Sequence, residues 1–276
     1  MAGSVALTGL PVRKFREQPF EKPPEEELPP PVGPRAPDAI DRLIAEHGPA
    51  TICAILAPVL TEARVARIEQ VLAARLGSIL PVVEDVYEPH NGAAVIRSAE
   101  ALGLQELHVL ETGVRFQALR GITRGCHRWM DLARWRDARA CVDALHARGF
   151  TVLATTPRGA MPLDAVDVSR PVAIVFGNEH AGLPEATIAA CDGAVVLPMF
   201  GFTESFNLSV TAALATSQLA ARRRAFLGAD GDLDPARVAH LRARWYALKV
   251  RGAAGVIERA VSARTHGDVA PEPQSP

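Results

Sequence analysis

The sequence has only four cysteines, and none of them is spaced for a metal site. They lie far apart along the chain, without a CxxC pair or a regular Cys/His spacing, at Cys53, Cys126, Cys141 and Cys191. Scattered cysteines of this kind indicate free thiols in a reducing compartment, and they argue against a disulfide framework or a bound metal.

Long apolar runs are also missing. No stretch approaches the ~18 apolar residues that a membrane-spanning helix needs, and the N-terminal MAGSVALTGLPVRKF lacks the apolar core of a secretory signal. A GxGxxG fingerprint is absent, which argues against a nucleotide-binding oxidoreductase. We therefore expect a soluble, cytoplasmic protein.

Charge of one sign is not in excess, and lysine is scarce. The 276 residues carry a formal net charge of −1 and are 48% apolar, and only three of the 30 basic residues are lysines. This balance excludes histone-like binding by charge alone but leaves room for a local basic patch. The many arginines suit phosphate contacts, and a GC-rich genome would produce the same composition.

The N-terminal part of the chain changes composition twice. Residues 1–37 are rich in proline and glutamate and predict a disordered or extended tail. Residues 38–77 predict a helical extension, with a short helix at Asp38–His47 and a clearer one at Thr61–Leu76, where apolar residues recur at steps of three and four.

The C-terminal residues 227–276 predict a second helical extension followed by a loose tail. An Asp-Pro pair at 234–235 is a helix start signal. The helix that it starts is expected over Ala236–Arg264, with a break near Gly252 or Gly255.

Between these extensions, residues 78–226 predict an α/β fold. Strands are predicted at Leu80–Val86, Glu106–Leu110, Thr151–Thr155, Val172–Phe176 and Ala194–Leu197. Helices are predicted at Gly92–Leu102, Ala138–Arg148, Pro184–Ala190 and Leu208–Phe226. This alternation indicates a parallel sheet with helices on both faces. In such sheets ligands bind at the carboxyl ends of the strands, where the candidate functional residues are therefore sought.

The first candidate motif is NGAAVIR, which follows the first predicted strand. Asn91 stands where the helix begins and is explained equally well as a helix cap. Arg97 interrupts an apolar face that includes Ala93, Ile96 and Ala99, and an arginine among small apolar residues needs an anionic partner or a functional role.

Two further motifs follow the later strands. GNEHAGLPE begins at Gly177 and forms a strand–glycine–turn–helix unit, in which a ligand can approach the backbone closely. An ordinary strand–helix connection would give the same pattern. LPMFGFTESFNLSVTAAL, which starts at Leu197, offers hydroxyl, amide and backbone groups of the kind that hold an adenosyl group. Its polar residues would also serve as plain helix caps.

Taken in order, the three motifs resemble the signature motifs of the SPOUT methyltransferases, specifically the TrmH (SpoU) branch. The resemblance extends over roughly residues 62–225. It implies a C-terminal deep trefoil knot, a homodimer, and S-adenosylmethionine-dependent methylation of a ribose 2′-hydroxyl in RNA. The segment ARIEQVLAARLGSILPVVEDVYEPHN is similar to the start of the tRNA guanosine-18 2′-O-methyltransferases, which implies a guanosine in the D-loop of tRNA as the target.

The resemblance also implies the residues that hold the cofactor. These are Thr155, Gly177, Leu197, Met199, Ser205, Phe206 and Asn207. Phe206 departs from the family pattern, because many relatives carry leucine at this position.

For catalysis, the resemblance implies that Arg97 activates the 2′-hydroxyl, either as a phosphate-activated base or as an electrostatic stabiliser. Asn91 is expected to position Arg97 or the substrate, and Glu179 to shape the second motif near the reacting ribose. No metal or covalent intermediate is needed, since the sulfonium of the cofactor already makes methyl transfer favourable.

RNA also has to be held by phosphate contacts. The segment from residue 115 to 139 is locally basic, and the RNA-binding residues predicted in it are Arg115, Arg120, Arg124 and Arg128. Further candidates are the run Arg222–Arg224 and the basic residues of the C-terminal helix. Trp245 and Tyr246 are expected either to stack on bases or to pack inside the protein.

Two other functions remain open from the sequence. The same chemistry on ribosomal RNA is the nearer alternative, although a separate N-terminal RNA-binding domain is not recognisable. A non-catalytic RNA-binding protein with the same fold is the other, and the presence of Arg97, of GNE and of SFNLS argues against it.

Overall fold

The computed structural model describes residues 33–117, 123, 125–157 and 161–267. The helices are α1 (Ala39–His47), α2 (Pro49–Leu56), α3 (Glu62–Ala73), α4 (Pro89–Ala101), α5 (Ala138–Ala147), α6 (Glu185–Ala190), α7 (Leu208–Leu227), α8 (Pro235–Lys249) and α9 (Ala253–Gly267). The strands are β1 (Ile79–Glu84), β2 (Glu106–Leu110), β3 (Asp131–Trp135), β4 (Thr151–Thr155), β5 (Met161–Pro162), β6 (Val172–Phe176) and β7 (Gly193–Val196). Most of the predicted tail at 1–37 lies outside the described residues.

The seven strands form one parallel sheet in the order β3-β2-β1-β6-β4-β7-β5. Successive side chains of a strand point to opposite faces. In β1, Ile79 and Val83 therefore join the core on the face of α4 and α7, while Leu80 and Val82 join the core on the face of α5. The predicted α/β fold, with a parallel sheet covered on both faces, is confirmed.

A second helical core stands beside the sheet. It is built by α1, α2, α3, α8 and α9, and its most buried side chains include Ile52, Leu56 and Trp245. Trp245 and Tyr246 are 2% and 4% exposed, so they pack inside this helical cluster, and the structure excludes them as stacking platforms for bases.

Most differences from the predicted elements have a simple cause. The strand β3 was not predicted, because its sequence DLARW has no apolar run, as expected of a strand at the edge of the sheet. Helix α2 was missed because PATICAIL is apolar all round and shows no helical period. The helix start at Asp234 is confirmed by its side chain, which accepts from the backbone N–H of Arg237 at 2.9 Å. The predicted break is confirmed at Gly252, where φ is +66°.

Within the described ranges, none of the helices is long and apolar enough to cross a membrane. The same ranges contain no group of three or more His, Cys, Asp or Glu side chains that could hold a metal ion.

Candidate active site

The three motifs meet at one edge of the sheet, where the parallel strands end. Helix α4 starts five residues after β1, at Pro89; the loop from Gly177 follows β6, and a loop over residues 197–207 follows β7. The strands β1, β6, β4 and β7 are neighbours in this order in the sheet. The loops that follow them therefore come together here, although they are distant in sequence.

A hydrogen-bonded chain of three side chains joins the motifs. The Asn91 Nδ2 donates to Glu179 Oε1 at 2.6 Å, and the Asn207 Nδ2 donates to Asn91 Oδ1 at 3.1 Å. The other carboxylate oxygen of Glu179 accepts from the backbone N–H of Tyr87 at 3.3 Å. Both ends of the Asn91 amide are therefore engaged, so this residue positions α4 against the other two motifs.

Asn91 is not the helix cap that the sequence allowed. Helix α4 begins two residues earlier, at Pro89, with Glu88 at the N-cap. Asn91 lies inside the first turn, and its side chain bonds to the other motifs instead of to its own helix end.

The second motif is a tight loop that depends on two glycines. A Cβ on Gly177 would overlap the backbone of Gly182 and Leu183, so only glycine permits this approach. Gly182 itself has φ +71°, in the left-handed region. The Asn178 side chain accepts from the backbone N–H groups of His180 and Ala181 at 3.0 and 2.8 Å. These contacts fix the loop that presents Glu179.

Arg97 does not lie within the apolar face of α4, contrary to the prediction. The neighbouring Val95, Ile96 and Ala99 are buried, but Arg97 is exposed beside this apolar face and does not interrupt it. Six residues separate it from Asn91, which is about 9 Å along a helix axis. Its side chain forms no hydrogen bond or ion pair with the described residues.

The predicted cofactor residues surround the carboxyl ends of β4, β6 and β7. Thr155 ends β4, and its hydroxyl donates to the carbonyl of Val175 at 2.9 Å. Leu197 and Met199 are half-buried, Ser205 is exposed, and Phe206 is 41% exposed. The backbone groups of residues 197–206 form no hydrogen bonds with other described residues.

Asn207 has two roles in this loop. Its Oδ1 accepts from the backbone N–H of Ser209 at 2.8 Å and caps α7, while its amide nitrogen bonds to Asn91. The structure thus combines the plain capping explanation with a contact between the third and the first motif.

One residue at this edge was not predicted. Glu84, at the end of β1, is 1% exposed, and Thr187 and Thr112 donate to its Oε1 at 3.0 and 3.2 Å. Its Oε2 has no partner among the described residues. Burial raises the pKa of Glu84 above its ordinary value, and the two hydroxyls offset part of this rise. The signal in the sequence was an acidic residue that ends an otherwise apolar strand.

The predicted RNA-binding arginines fall into two groups. Arg115 and Arg128 are exposed and have no acidic partner within the described ranges. Arg120 and Arg124 lie outside the described residues. Nearby, Arg134 pairs with Glu111 at 2.6 Å.

The other predicted RNA contacts need correction. Arg222, Arg223 and Arg224 donate to backbone carbonyls inside the chain, among them those of Val166, Val168 and Leu102, so they anchor α7 to segments that precede strands of the sheet. The arginines of α8 are paired with acidic residues: Arg237 with Asp131, Arg242 with Glu69, and Arg244 with Asp38 and Asp41. In α8 and the turn after it, Lys249 and Arg251 remain without an acidic partner among the described residues.

Comparison with known proteins agrees with this arrangement. The model of a family described as the SpoU rRNA Methylase family matches residues 78–217. A tRNA (guanosine(18)-2'-O)-methyltransferase from Borreliella burgdorferi is 33% identical over 199 residues, which cover 71% of this chain and 90% of that protein.

Two solved structures share the fold. The TrmH/SpoU tRNA modifying enzyme of A. aeolicus superposes with a TM-score of 0.56 at 24% identity, over 76% of this chain and 98% of that one. The SpoU methyltransferase AviRb from Streptomyces viridochromogenes, solved in complex with AdoMet, gives a TM-score of 0.50 at 23% identity, over 56% of this chain and 64% of that one.

Proposed function

This chain belongs to the SpoU rRNA methylase family, and we propose that it transfers a methyl group from S-adenosylmethionine to a ribose 2′-hydroxyl of tRNA. The observation that carries the proposal is the chain of hydrogen bonds from Glu179 through Asn91 to Asn207. It links all three motifs at the carboxyl edge of the sheet. Its central residue, Asn91, lies on α4, the helix that also carries the exposed Arg97.

The groups at this edge fit S-adenosylmethionine. Half-buried Leu197 and Met199 provide apolar contacts for the adenine, and the loop over residues 197–206 offers backbone groups that no described residue uses. We assign the remaining contacts to Thr155, Gly177, Ser205, Phe206 and Asn207. When bound, the cofactor supplies an electrophilic methyl carbon on its sulfonium.

The protein's part in the reaction is to orient and stabilise. A ribose hydroxyl is a weak nucleophile, and negative charge develops on its oxygen as it attacks. A guanidinium remains charged in proteins, so it is suited to stabilising negative charge. We therefore assign Arg97 to stabilising the charge on the 2′-oxygen, and Asn91 and Glu179 to holding α4 and the second motif in place.

The substrate follows from the relatives. The Borreliella burgdorferi protein is named for guanosine 18 of tRNA, and we propose the same nucleotide, in the D-loop, for this chain. Ribosomal RNA, which the family description mentions, is the alternative. The exposed Arg115 and Arg128 supply candidate phosphate contacts for either RNA.

We further propose a knotted homodimer that works in the cytoplasm. A knot is supported by the path of the chain, which leaves β6, passes β4 to form β7 and returns through α7 to pack on β1. A dimer is supported by apolar side chains left exposed around the third motif: Phe200, Phe202, Val210 and Leu214. In the same proposal residues 78–226 form the methyltransferase domain and 38–77 and 227–276 the extensions.

The test is methyl transfer from labelled S-adenosylmethionine to unmodified tRNA and rRNA transcripts, with mapping of the product nucleotide. We expect a 2′-O-methylated guanosine in the D-loop. Arg97→Ala should lower the rate about 10²–10³-fold, as the loss of one charge-stabilising group does in other enzymes. Arg170→Ala, an exposed arginine at the opposite edge of the sheet, is the matched control and should have no effect. Label in rRNA alone would contradict the proposal that tRNA is the substrate, and label in no RNA would contradict the proposed methyl transfer.

A further inference from the structure

A cavity of about 620 Å³ lies outside the motif loops, against the edge strand β3. Its volume is in the range of sites that hold a small organic ligand. Residues 33–38, before α1, form one wall and run beside β3, where the backbone N–H of Arg134 donates to the carbonyl of Gly33 at 3.4 Å. Helix α8 forms another wall through Leu248. The cavity is therefore built jointly by the sheet and the helical cluster.

The floor of the cavity is apolar. Met130 and Leu132 form it from β3 and the residue before it, since alternate residues of a strand share a face. The polar Thr123 and His127 also line the cavity. Ile96 of α4 and Phe116 of the loop after β2 line the side nearest the candidate active site. Ile96 is the residue before Arg97, so the cavity and the proposed catalytic arginine lie on adjacent positions of one helix.

The rim of the cavity is basic. Four arginines from four different segments line it, against one carboxylate, Asp38: they are Arg35, Arg128, Arg134 and Arg244. Three of them are explained without a ligand, because Arg35 and Arg244 bond to Asp38 and Asp41, and Arg134 bonds to Glu111. Arg128 is different. It is exposed and has no acidic partner in the part of the chain that the structure describes.

The combination of an apolar floor and a guanidinium that no described carboxylate pairs with matches the chemistry of a nucleotide. Protein sites for single-stranded RNA place the base on apolar or aromatic side chains and the phosphate on arginine. A simple anion would not need the floor, and a purely apolar ligand would not need Arg128.

We propose that this cavity holds one nucleotide of the bound RNA, away from the target ribose, with its base against Leu132 and Met130 and its phosphate on Arg128. The inference rests on the proposed function for the identity of the RNA. It adds a second point of attachment that methyl transfer itself does not require.

The first test measures the affinity of the protein for a tRNA transcript by fluorescence anisotropy over a series of salt concentrations. Arg128→Ala should weaken binding about tenfold. It should also lower the slope of log affinity against log salt by about one, as expected for one lost phosphate contact. The matched control Arg170→Ala removes an exposed arginine at the amino edge of the sheet and should change neither quantity.

A second pair of variants tests the cavity itself without changing its charge. Ala36 is exposed and lines the cavity from residues 33–38, so Ala36→Trp should fill the space and weaken tRNA binding by a similar factor. Ala39→Trp, at an exposed position of α1 that does not line the cavity, should bind tRNA like the wild type.

The outcomes separate this inference from the proposed function. Equal tRNA affinities of wild type, Arg128→Ala and Ala36→Trp overturn the inference, even where the wild type methylates tRNA. Weakened binding in both variants supports it, even where no RNA is methylated and the proposed function fails. Guanosine 5′-monophosphate tests a free nucleotide as the occupant. If it binds the wild type but not Arg128→Ala while tRNA affinity is unchanged, the assignment to RNA is overturned.

Discussion

The two edges of the sheet use the same kinds of polar residue in opposite ways. At the amino edge, Asp232 accepts from the backbone N–H of Gly77 at 2.6 Å and from the hydroxyl of Ser78, and Arg223 donates to the same hydroxyl and to the carbonyl of Val168. At the carboxyl edge, one oxygen of Glu84 has no partner among the described residues, and further along α4 the side chain of Arg97 has none among them either.

This difference separates polar groups that hold the fold together from groups that remain available. Buried polar groups are normally bonded within a protein, because an unpaired one costs free energy. At the amino edge, Asp232 and Arg223 follow this rule, although two buried atoms near the starts of β1 and β2, Arg75 Nε and Gln105 Oε1, have no partner among the described residues. At the carboxyl edge the unpaired buried atom is Glu84 Oε2, and this is the edge where parallel sheets bind ligands. A count of arginines along the sequence cannot make this distinction.

The largest expected effect is on the amino edge. Arg223→Met should reduce the free energy of unfolding by about 3–5 kcal/mol, the usual cost of removing one member of a buried charged pair. It leaves the Asp232 carboxylate without its cation and two carbonyls, those of Val168 and Ser169, without donors. Urea unfolding measures the change, and Arg170→Met is the control for loss of an exposed arginine. A loss below 1 kcal/mol would mean that this edge does not depend on its internal bonds.

The second effect is on the carboxyl edge and should appear in activity. Gly177→Ala forces the loop of the second motif away, because the new Cβ overlaps the backbone of Gly182 and Leu183. A displacement of about 1 Å at a site of reaction costs about a hundredfold in rate, so we expect a loss of that size in methyl transfer. Gly193→Ala is the control, since its Cβ would meet Leu153 at an ordinary 3.6 Å. Equal activities of the two variants would show that the loop tolerates movement.

The sequence predicted the framework of this fold because apolar strands and amphipathic helices carry it. The strand Val172–Phe176 was predicted with its observed bounds. The elements that were not predicted have no periodic pattern: β3 is a polar edge strand, and α2 is uniformly apolar. Such segments are ordered by their neighbours and not by their own composition.

For the candidate site, the sequence identified which residue types belong together but not how they are bonded. The three motifs pointed to Asn91, Glu179 and Asn207, yet a contact across 88 residues, such as that between Asn91 and Glu179, depends on the strand order. The prediction that Arg97 interrupts an apolar face was wrong, because the apolar residues around it occupy the adjacent face of the helix and Arg97 itself is exposed. The internal bonds of Arg222–Arg224 depend on carbonyls far away in the chain.

The smallest expected effect concerns Glu84 and its dependence on pH. Because burial raises its pKa in the folded protein, Glu84 contributes stability while it is protonated, and that contribution is lost as the pH rises through the folded pKa. The glutamine of Glu84→Gln cannot ionise. As the pH rises, the wild type should therefore lose stability relative to this variant, by less than about 2 kcal/mol, the scale of one buried polar group. Urea unfolding over a pH series measures this, with the exposed Glu185→Gln as the control. Parallel pH profiles for wild type and Glu84→Gln would mean that the unpaired oxygen is satisfied at every pH, and the carboxyl edge would then differ from the amino edge only in its exposed groups.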